Sequence, residues 1–342
     1  MFFIYKLIFI ATLFLGTLIT MSSYSWLGTW MGLEINLLSF IPLISMKNNS
    51  FSSEASIKYF LIQTMASSIF LISIIMLIMK SKMINEMFLF NKIMFMLINS
   101  ALLLKLGAAP FHFWFPEIIE GLNWMNSLIL LTWQKIAPMI ILSYTINNSM
   151  FIMMIILMST FIGSIGGLNQ ISLRKILAYS SINHLGWMLS SFLINEMMWI
   201  LYFSIYTFMS ISIISILNKF NVFLLKQMFL MISKEYLMKF FLMMNLLSLG
   251  GLPPFLGFFP KWIIIQYLSM NNFFIIMFMI MMTLITLFFY LRICYSSIMI
   301  SNNEMLHNKI MNKMNFNKMF INITSFICIN GLIIYSMIIN FY

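Results

Sequence analysis

Four ionisable side chains lie within long apolar stretches of this sequence. Glu34 lies in WMGLEINLLSF, Lys105 in LLLKLGAAPFHFWFP and Lys135 in ILLTWQKIAPM, and Lys261 directly follows LLSLGGLPPFLGFFP. A charged side chain at the centre of a bilayer costs at least about 2.5–3.5 kcal/mol on insertion scales. Burial disfavours the charged form of such a group, whereas a nearby opposite charge favours it. A Glu–Lys pair whose interaction can be weakened or restored could therefore take up and release protons.

Two histidines, His112 and His184, lie in the same kind of apolar surroundings. The imidazole ring titrates close to neutral pH and can relay protons between buried groups. Each ring is equally compatible with a hydrogen-bonded packing role. The sequence leaves both interpretations open.

The composition excludes a soluble protein. The 342 residues are 62% hydrophobic and 8% charged, with a mean hydropathy of +0.99, whereas soluble domains average about 25% charged residues. We predict an all-α polytopic membrane protein. In a soluble protein the formal charge of +11 would suggest nucleic acid. Here the basic residues flank apolar spans, so membrane topology explains them and no nucleic-acid partner is expected.

No cofactor or metal site is predicted on this chain. Cys294 and Cys328 lie in apolar spans, without the spacing of metal ligands or of a disulfide framework. No nicotinamide, flavin or nucleotide fingerprint occurs in the sequence.

The apolar periodicity predicts about eleven transmembrane helices. At 1.5 Å per residue the fourth and ninth would each reach about 50 Å, which exceeds the hydrocarbon core of about 30 Å. Both contain Gly and Pro near the middle, so we predict that both are broken. The predicted spans are 3–21, 25–45, 57–79, 91–123, 126–145, 148–168, 173–194, 196–218, 238–270, 273–298 and 319–341.

The two broken spans share a sequence motif. LLLKLGAAPFHFWFPE (102–117) and LLSLGGLPPFLGFFPK (246–261) each combine Gly, Pro, aromatic residues and a final Phe-Pro, at an offset of 143 residues at the first glycine and 144 at the last proline. The predicted helix-breaking residues are Gly107, Pro110, Gly250, Gly251, Pro253 and Pro254. Because the second copy lies five spans after the first, the two motifs enter the membrane from opposite sides, as in the inverted repeats of transporters. The alternative is a shared kink motif that serves only packing.

This motif divides the predicted single membrane domain, 1–342, into three parts. The first five-helix repeat covers 1–145 with its broken helix at 91–123, and the second covers 148–298 with its broken helix at 238–270. A C-terminal helix follows at 319–341.

The distribution of basic residues predicts the orientation. One side of the membrane holds the N-terminus together with most of the basic residues, and by the positive-inside rule this is the matrix or cytoplasmic side. The opposite side then holds the C-terminus and only Lys80, Lys82 and Lys92. The basic residues on the N-terminal side are Lys6, Lys47, Lys58, Arg174, Lys175, Lys219, Lys226, Lys234, Lys239, Arg292, Lys309, Lys313 and Lys318.

Five segments carry a resemblance to a known family. They are WMGLEINLLSFIPL, LKLGAAPFHFWFPE, TWQKIAP, RKILAYSSINHLGWM and GGLPPFLGFFPKW. Together they resemble the antiporter-like membrane subunits of mitochondrial NADH:ubiquinone oxidoreductase, respiratory complex I, in their animal form. The chain contains 37 methionines, and this methionine-rich composition resembles that of proteins encoded by insect mitochondrial genes.

The resemblance implies a role for each buried group. Glu34 and Lys105 would form a modulating pair, Lys135 would be the central relay, and Lys261 would face the route to the next subunit. His112 and His184 would be auxiliary relays. NADH, FMN, iron–sulfur clusters and ubiquinone would be bound by other chains. The implied partners are neighbouring subunits 4 and 4L, accessory subunits and membrane lipids that include cardiolipin. The implied location is the mitochondrial inner membrane, with the N-terminus in the matrix and the C-terminus in the intermembrane space.

Three other functions fit part of this pattern. A free-standing cation/proton antiporter would use the same residues without partners. A structural membrane subunit would tolerate neutralisation of Lys135. An ion channel fits least, because broken helices with buried lysines suit gated protonation better than a continuous cation pore.

Overall fold

The computed structural model describes residues 2–45, 49–80, 87–146, 150–231, 236–270, 272–299 and 315–341. Within these ranges the chain is helical, and the β-type pairing recorded there is a single bridge between Ser172 and Leu224. The helices are α1 Phe2–Ser22, α2 Trp26–Ile44, α3 Ser50–Lys80, α4 Met87–Leu106, α5 Trp114–Gly121, α6 Trp124–Leu131, α7 Trp133–Thr145, α8 Met150–Gly167, α9 Leu173–Phe192, α10 Glu196–Phe220, α11 Leu225–Met231, α12 Tyr236–Gly250, α13 Phe258–Leu268, α14 Phe273–Met299 and α15 Asn315–Phe341.

Seven helical stretches of the described chain are long and apolar enough to cross a membrane, so this is a multi-pass membrane protein. They are Ile4–Ser22, Trp26–Ile44, Ser50–Met79, Trp124–Thr145, Met150–Gly167, Glu196–Phe220 and Phe273–Ser297. Helix α9, which we predicted as a span, is not among them. It carries Asn183, His184 and several serines, and these polar side chains are buried inside the protein.

The chain divides into two compact units, Met1–Met158 and Ser159–Tyr342. In the first unit α2 packs against α1 and α3, while α3 also contacts α4 and α5. On its exposed side the ammonium group of Lys58 pairs with the carboxylates of Glu54 and Glu117, both at 2.9 Å. In the second unit α10 packs against α9 and α12, and α12 contacts α14 and α15.

Several helix bounds differ from those predicted. The third span begins at Ser50 instead of residue 57, because the polar segment Ser50–Ser56 continues the helix. The predicted helix 126–145 is interrupted at Thr132, whose hydroxyl donates to the carbonyl of Leu128 at 2.7 Å. The short helix α11 was not predicted. At the start of α11, Gln227 Oε1 accepts hydrogen bonds from the backbone N–H groups of Phe223 and Leu224, as in a capping box.

Both over-long spans are broken as predicted, and each first half ends in a Schellman motif. Gly107 and Gly251 adopt left-handed backbone conformations, with φ of 73° and 84°, which glycine reaches without a Cβ penalty. The Gly107 and Ala108 N–H groups bond to the Leu104 and Leu103 carbonyls. The corresponding bonds of the second break run from Gly251 to Ser248 and from Leu252 to Leu247. Each break also contains a cis X–Pro bond, at Pro110 and Pro254.

The geometry of the breaks corrects the predicted register of the motif. Two further backbone hydrogen bonds of the first break run from Phe111 to Ala108 and from Phe115 to His112. Their counterparts at the second break run from Phe255 to Leu252 and from Phe259 to Leu256. All four bonds of the first break therefore recur 144 residues later, and the predicted offset of 143 at the first glycine is wrong. Gly107 corresponds to Gly251, while Gly250 is the last residue of α12. The sequence could not decide between two adjacent glycines, because either can follow the end of a helix.

Five of the basic residues used to predict orientation lie outside the described residues. They are Lys47, Lys82, Lys234, Lys309 and Lys313.

Candidate proton-transfer site

Lys105 lies in the last turn of α4, at the first break, and its side chain is buried. A cation is favourable there because the C-terminal end of a helix carries partial negative charge. Two side chains satisfy the carbonyl groups of this turn. Trp114 Nε1 donates to the Leu104 carbonyl at 3.1 Å, and Gln63 Nε2 donates to the Lys105 carbonyl at 3.3 Å. The end of α4 is thus held by α3 and α5, and the position of Lys105 is fixed with it.

Lys135 lies in the first turn of α7, just after the interruption at Thr132, and is 1% exposed. Its Nζ lies 5.4 Å from the centre of the Phe115 ring, within the range of a cation–π interaction. Pro138, one turn further along α7, lacks the N–H that would bond to the Gln134 carbonyl. The helix therefore departs from regular hydrogen bonding on both sides of Lys135.

Lys105 and Lys135 line the same cavity in the first unit. It offers about 20 Å³ of space for the centres of water molecules, and about 10–15 Å³ is enough to hold one water. Its wall contains the two lysines and further polar groups from four helices, so it can hydrogen-bond a water molecule. The lining residues are Leu33, Asn36, Leu37, Tyr59, Gln63, Lys105, Leu106, Trp114, Phe115, Leu130, Gln134, Lys135 and Pro138.

The sequence-based site did not include four polar residues of this cavity. They are Asn36, Tyr59, Gln63 and Gln134. In the described part of the chain, Asn36 Oδ1 and Gln134 Nε2 are buried and have no hydrogen-bond partner. Buried polar atoms of this kind often bind an ordered water. The two glutamines could have been selected from the sequence, because amide side chains within apolar spans are uncommon and often functional.

Glu34 lies near the middle of α2 in the same unit, and its side chain is only partly buried. Its charge interacts with that of Lys105. In the described part of the chain, however, the two side chains do not form a direct ion pair, unlike Lys58 and Glu117. This arrangement allows each charge to respond to the other without a fixed hydrogen bond between them.

Lys261 lies in the second unit, in the first turn of α13 after the second break, and is 5% exposed. Its Nζ donates to the carbonyl groups of Gly250 at 2.9 Å and Leu249 at 3.4 Å. The ammonium group therefore caps the C-terminal end of α12, where the helix dipole favours a cation. At the first break the uncharged side chains of Trp114 and Gln63 bond to the carbonyl groups at the end of α4. The two breaks therefore match in backbone conformation, but the capping side chains are uncharged at the first break and cationic at the second.

The two histidines are buried and hydrogen-bonded. His112 lies between α4 and α5, and its Nδ1 is 3.3 Å from the Pro110 carbonyl oxygen. His184 lies on α9, with Nδ1 2.8 Å from the hydroxyl of Tyr202 on α10. The ring of Tyr206 is 5.2 Å from that of His184, between centroids. Neither tyrosine was selected from the sequence.

Among the described residues, no cluster of three His, Cys, Asp or Glu side chains could hold a metal ion. The chemistry that the described groups can perform is proton binding and release. Two buried lysines share a cavity large enough for a water molecule, and a carboxylate interacts with one of them.

Two insect relatives that match most of this chain carry the same name. The chain is 53% identical over 333 residues to the NADH-ubiquinone oxidoreductase chain 2 of Anopheles gambiae, covering 97% of each chain. It is 48% identical over 301 residues to the protein of the same name from Locusta migratoria, covering 87% of each. These relatives show that the resemblance read from the five segments was correct, including the likeness to insect proteins.

A solved structure shares the fold. A chain of respiratory complex I from Thermus thermophilus superposes with a TM-score of 0.85 at 20% identity, over 96% of this chain and 78% of that chain. A family model described as NADH:quinone oxidoreductase/Mrp antiporter, TM, matches residues 23–286. The chain therefore belongs to the NADH:quinone oxidoreductase/Mrp antiporter family of transmembrane proteins.

Proposed function

We propose that this chain is a proton-translocating membrane subunit of an NADH:ubiquinone oxidoreductase. Electron transfer on other subunits drives proton transfer through the buried lysines of this chain. The observation that carries the proposal is the placement of Lys105 and Lys135 around one cavity with room for water, in a chain of this family. Buried ionisable residues in membrane proteins commonly mark such proton pathways.

The residues have distinct roles in this proposal. Lys135 is the central proton carrier, because it is almost fully buried and lies beside the cavity. Glu34 modulates Lys105 through the interaction of their charges. A change at Glu34 alters how readily Lys105 holds its proton, and thus whether a proton moves through the cavity. Lys261 passes protons in the second unit, and its bonds to the end of α12 couple its charge to the second break.

The redox reaction takes place elsewhere in the complex. NADH, FMN, iron–sulfur clusters and ubiquinone bind to partner subunits, and this chain holds no cofactor. Its expected neighbours are membrane subunits 4 and 4L, together with accessory subunits and lipids that include cardiolipin. The name shared by the relatives from Anopheles gambiae and Locusta migratoria supports membership in such a complex.

We also propose the layout in the membrane. About eleven spans form two inverted five-helix repeats and a C-terminal helix. Four backbone hydrogen bonds of the first break recur at the second, and this recurrence supports the repeat. The protein lies in the mitochondrial inner membrane, with its N-terminus in the matrix and its C-terminus in the intermembrane space, as the distribution of basic residues favours.

A native separation distinguishes this function from that of a free cation/proton antiporter. Native membranes are extracted in mild detergent and separated on a blue native gel. The gel is stained for NADH oxidation, and the chain is located by mass spectrometry. We expect the chain in a very large NADH-oxidising band. Migration alone at low mass would instead favour the antiporter, whose next assay is proton exchange driven by an ion gradient in vesicles.

A further inference from the structure

The two buried histidines differ in the chemistry of the group bound at Nδ1. His112 Nδ1 bonds to the Pro110 carbonyl at 3.3 Å, whereas His184 Nδ1 bonds to the Tyr202 hydroxyl at 2.8 Å. A carbonyl oxygen can only accept a hydrogen bond, while a hydroxyl can both donate and accept one. This difference determines which nitrogen of each imidazole can exchange a proton.

The partner of His112 holds a proton on Nδ1. Because the Pro110 carbonyl only accepts, Nδ1 carries its hydrogen in both the neutral and the charged ring. Proton exchange at His112 is then confined to Nε2. A group that relays a proton must receive it at one atom and release it at another, so His112 is bound in a way that prevents relay through the ring.

The partner of His184 allows both charge states. When the ring is neutral with a lone pair on Nδ1, the Tyr202 hydroxyl donates to it; when the ring is charged, Nδ1–H donates to the hydroxyl oxygen. The hydrogen bond therefore persists while the ring gains or loses a proton. Both side chains are nearly inaccessible, at 2% and 1% exposure, so this exchange is shielded from bulk solvent.

A neighbouring tyrosine provides an internal comparison. Tyr206 follows Tyr202 by one turn of α10 and is also buried. Its hydroxyl hydrogen-bonds to Ser181, one turn before His184 on α9. Tyr202 and Tyr206 thus both link α10 to α9, and Tyr202 does so at the imidazole Nδ1.

We propose that Tyr202 is the group through which His184 exchanges a proton at Nδ1, and that His112 serves instead to anchor the first break. In the transfer step the Nδ1–H bond of the imidazolium breaks as a new O–H bond forms on Tyr202. The original hydroxyl proton passes to a water molecule bound inside the helix bundle, so the hydroxyl is regenerated and no electrons are exchanged. This inference rests on the proposed proton-translocating function.

The test uses the intact complex in proteoliposomes and measures protons translocated per NADH oxidised. Tyr202→Phe and Tyr206→Phe each remove one hydroxyl between the same two helices. His184→Asn and His112→Asn each keep a short amide donor while removing Nε2. We expect Tyr202→Phe and His184→Asn to lower the proton yield, because transfer through this subunit slows by about tenfold or more. Tyr206→Phe should match wild type, and His112→Asn should lose less yield than His184→Asn.

Two results would overturn the inference. One is an equal loss in Tyr202→Phe and Tyr206→Phe, which would indicate a packing role for both hydroxyls. The other is a wild-type proton yield in His184→Asn, which decides the question even if Tyr202→Phe does not assemble. Lys135→Met, measured in parallel, separates this inference from the proposed function. If only Lys135→Met loses yield, the relay through Tyr202 is wrong, and if Lys135→Met also retains full yield, the proposed function fails.

Discussion

Replacing Lys135 with methionine removes the charge of the proposed proton carrier and keeps most of its side-chain volume. The group is 1% exposed, so its charge opposes membrane insertion by about 2.5–3.5 kcal/mol. Its cation–π contact with Phe115 returns about 0.5–2 kcal/mol. Methionine removes this insertion cost together with the cation–π contact and keeps a similar volume, so the complex should assemble normally.

Lys135→Ala removes the same charge but also leaves an empty space. Truncation of a buried long side chain to alanine costs about 2–5 kcal/mol, and the space would add to the cavity that Lys135 already lines. Assembly should therefore be lower for the alanine variant than for the methionine variant. Quantitative native gels compare the two, and the difference reports packing because the charge change is identical.

The effect on proton transfer should be similar in both variants. A positioned acid–base group typically contributes about 10²–10⁴-fold to a proton-transfer step, which corresponds to about 2.7–5.4 kcal/mol of barrier. The assay reconstitutes the complex in vesicles, adds NADH and a ubiquinone analogue, and follows acidification with a pH-sensitive dye. Lys226→Met is the matched control, because Lys226 is exposed on the short helix α11.

A methionine variant that assembles and translocates the wild-type number of protons per NADH would refute the assignment of Lys135 as a carrier. Loss of assembly in the methionine variant would refute the stability argument, since it would mean that the charge itself holds the fold together. The expected result is normal assembly, a reduced proton yield and an unchanged Lys226→Met control.

Three further predictions concern other groups. Glu34→Gln should reduce the proton yield less than Lys135 variants do, because it modulates a neighbouring charge; an equal loss in the same vesicle assay would make Glu34 an obligatory carrier. Gly251→Ala should destabilise the second break by about 1–2 kcal/mol, because φ is 84° and the added Cβ would lie 2.9 Å from Lys261 Nζ. Gly250→Ala meets only ordinary contacts and should be tolerated, so equal thermal stabilities of the two variants would contradict the assigned register. Lys58→Ala removes an exposed ion pair with Glu117 and should leave the proton yield at the wild-type value, whereas a loss in the vesicle assay would place Lys58 on the proton route.

The sequence alone predicted the features that the bilayer imposes on any membrane protein. Apolar runs must be helical, because lipid cannot satisfy backbone polar groups. A run too long for the membrane must break, and Gly and Pro locate the break. Charged groups inside apolar spans predict the candidate proton-transfer residues, because a charge within the membrane is energetically unfavourable and commonly marks a functional site. The all-helical membrane fold, the two breaks and the family all followed from these local signals.

The details of the proton-transfer site depended on contacts between residues far apart in the chain. No local pattern indicates that Gln63 and Trp114 satisfy the end of α4, since α3 and α5 meet there only through packing. The interruption at Thr132 was missed because neither Gly nor Pro lies at that position. The choice of Gly251 over Gly250 required the backbone itself.

The sequence by itself determined which residues could carry protons: Glu34, Lys105, Lys135, Lys261 and the two histidines. Only the tertiary structure decided which of them share surroundings. It placed Lys105 and Lys135 at one cavity and gave His184, but not His112, a partner that can both donate and accept. The physical reason is that ionisation chemistry belongs to a residue type, whereas proton transfer depends on distance and hydrogen-bond direction, which arise only when helices pack.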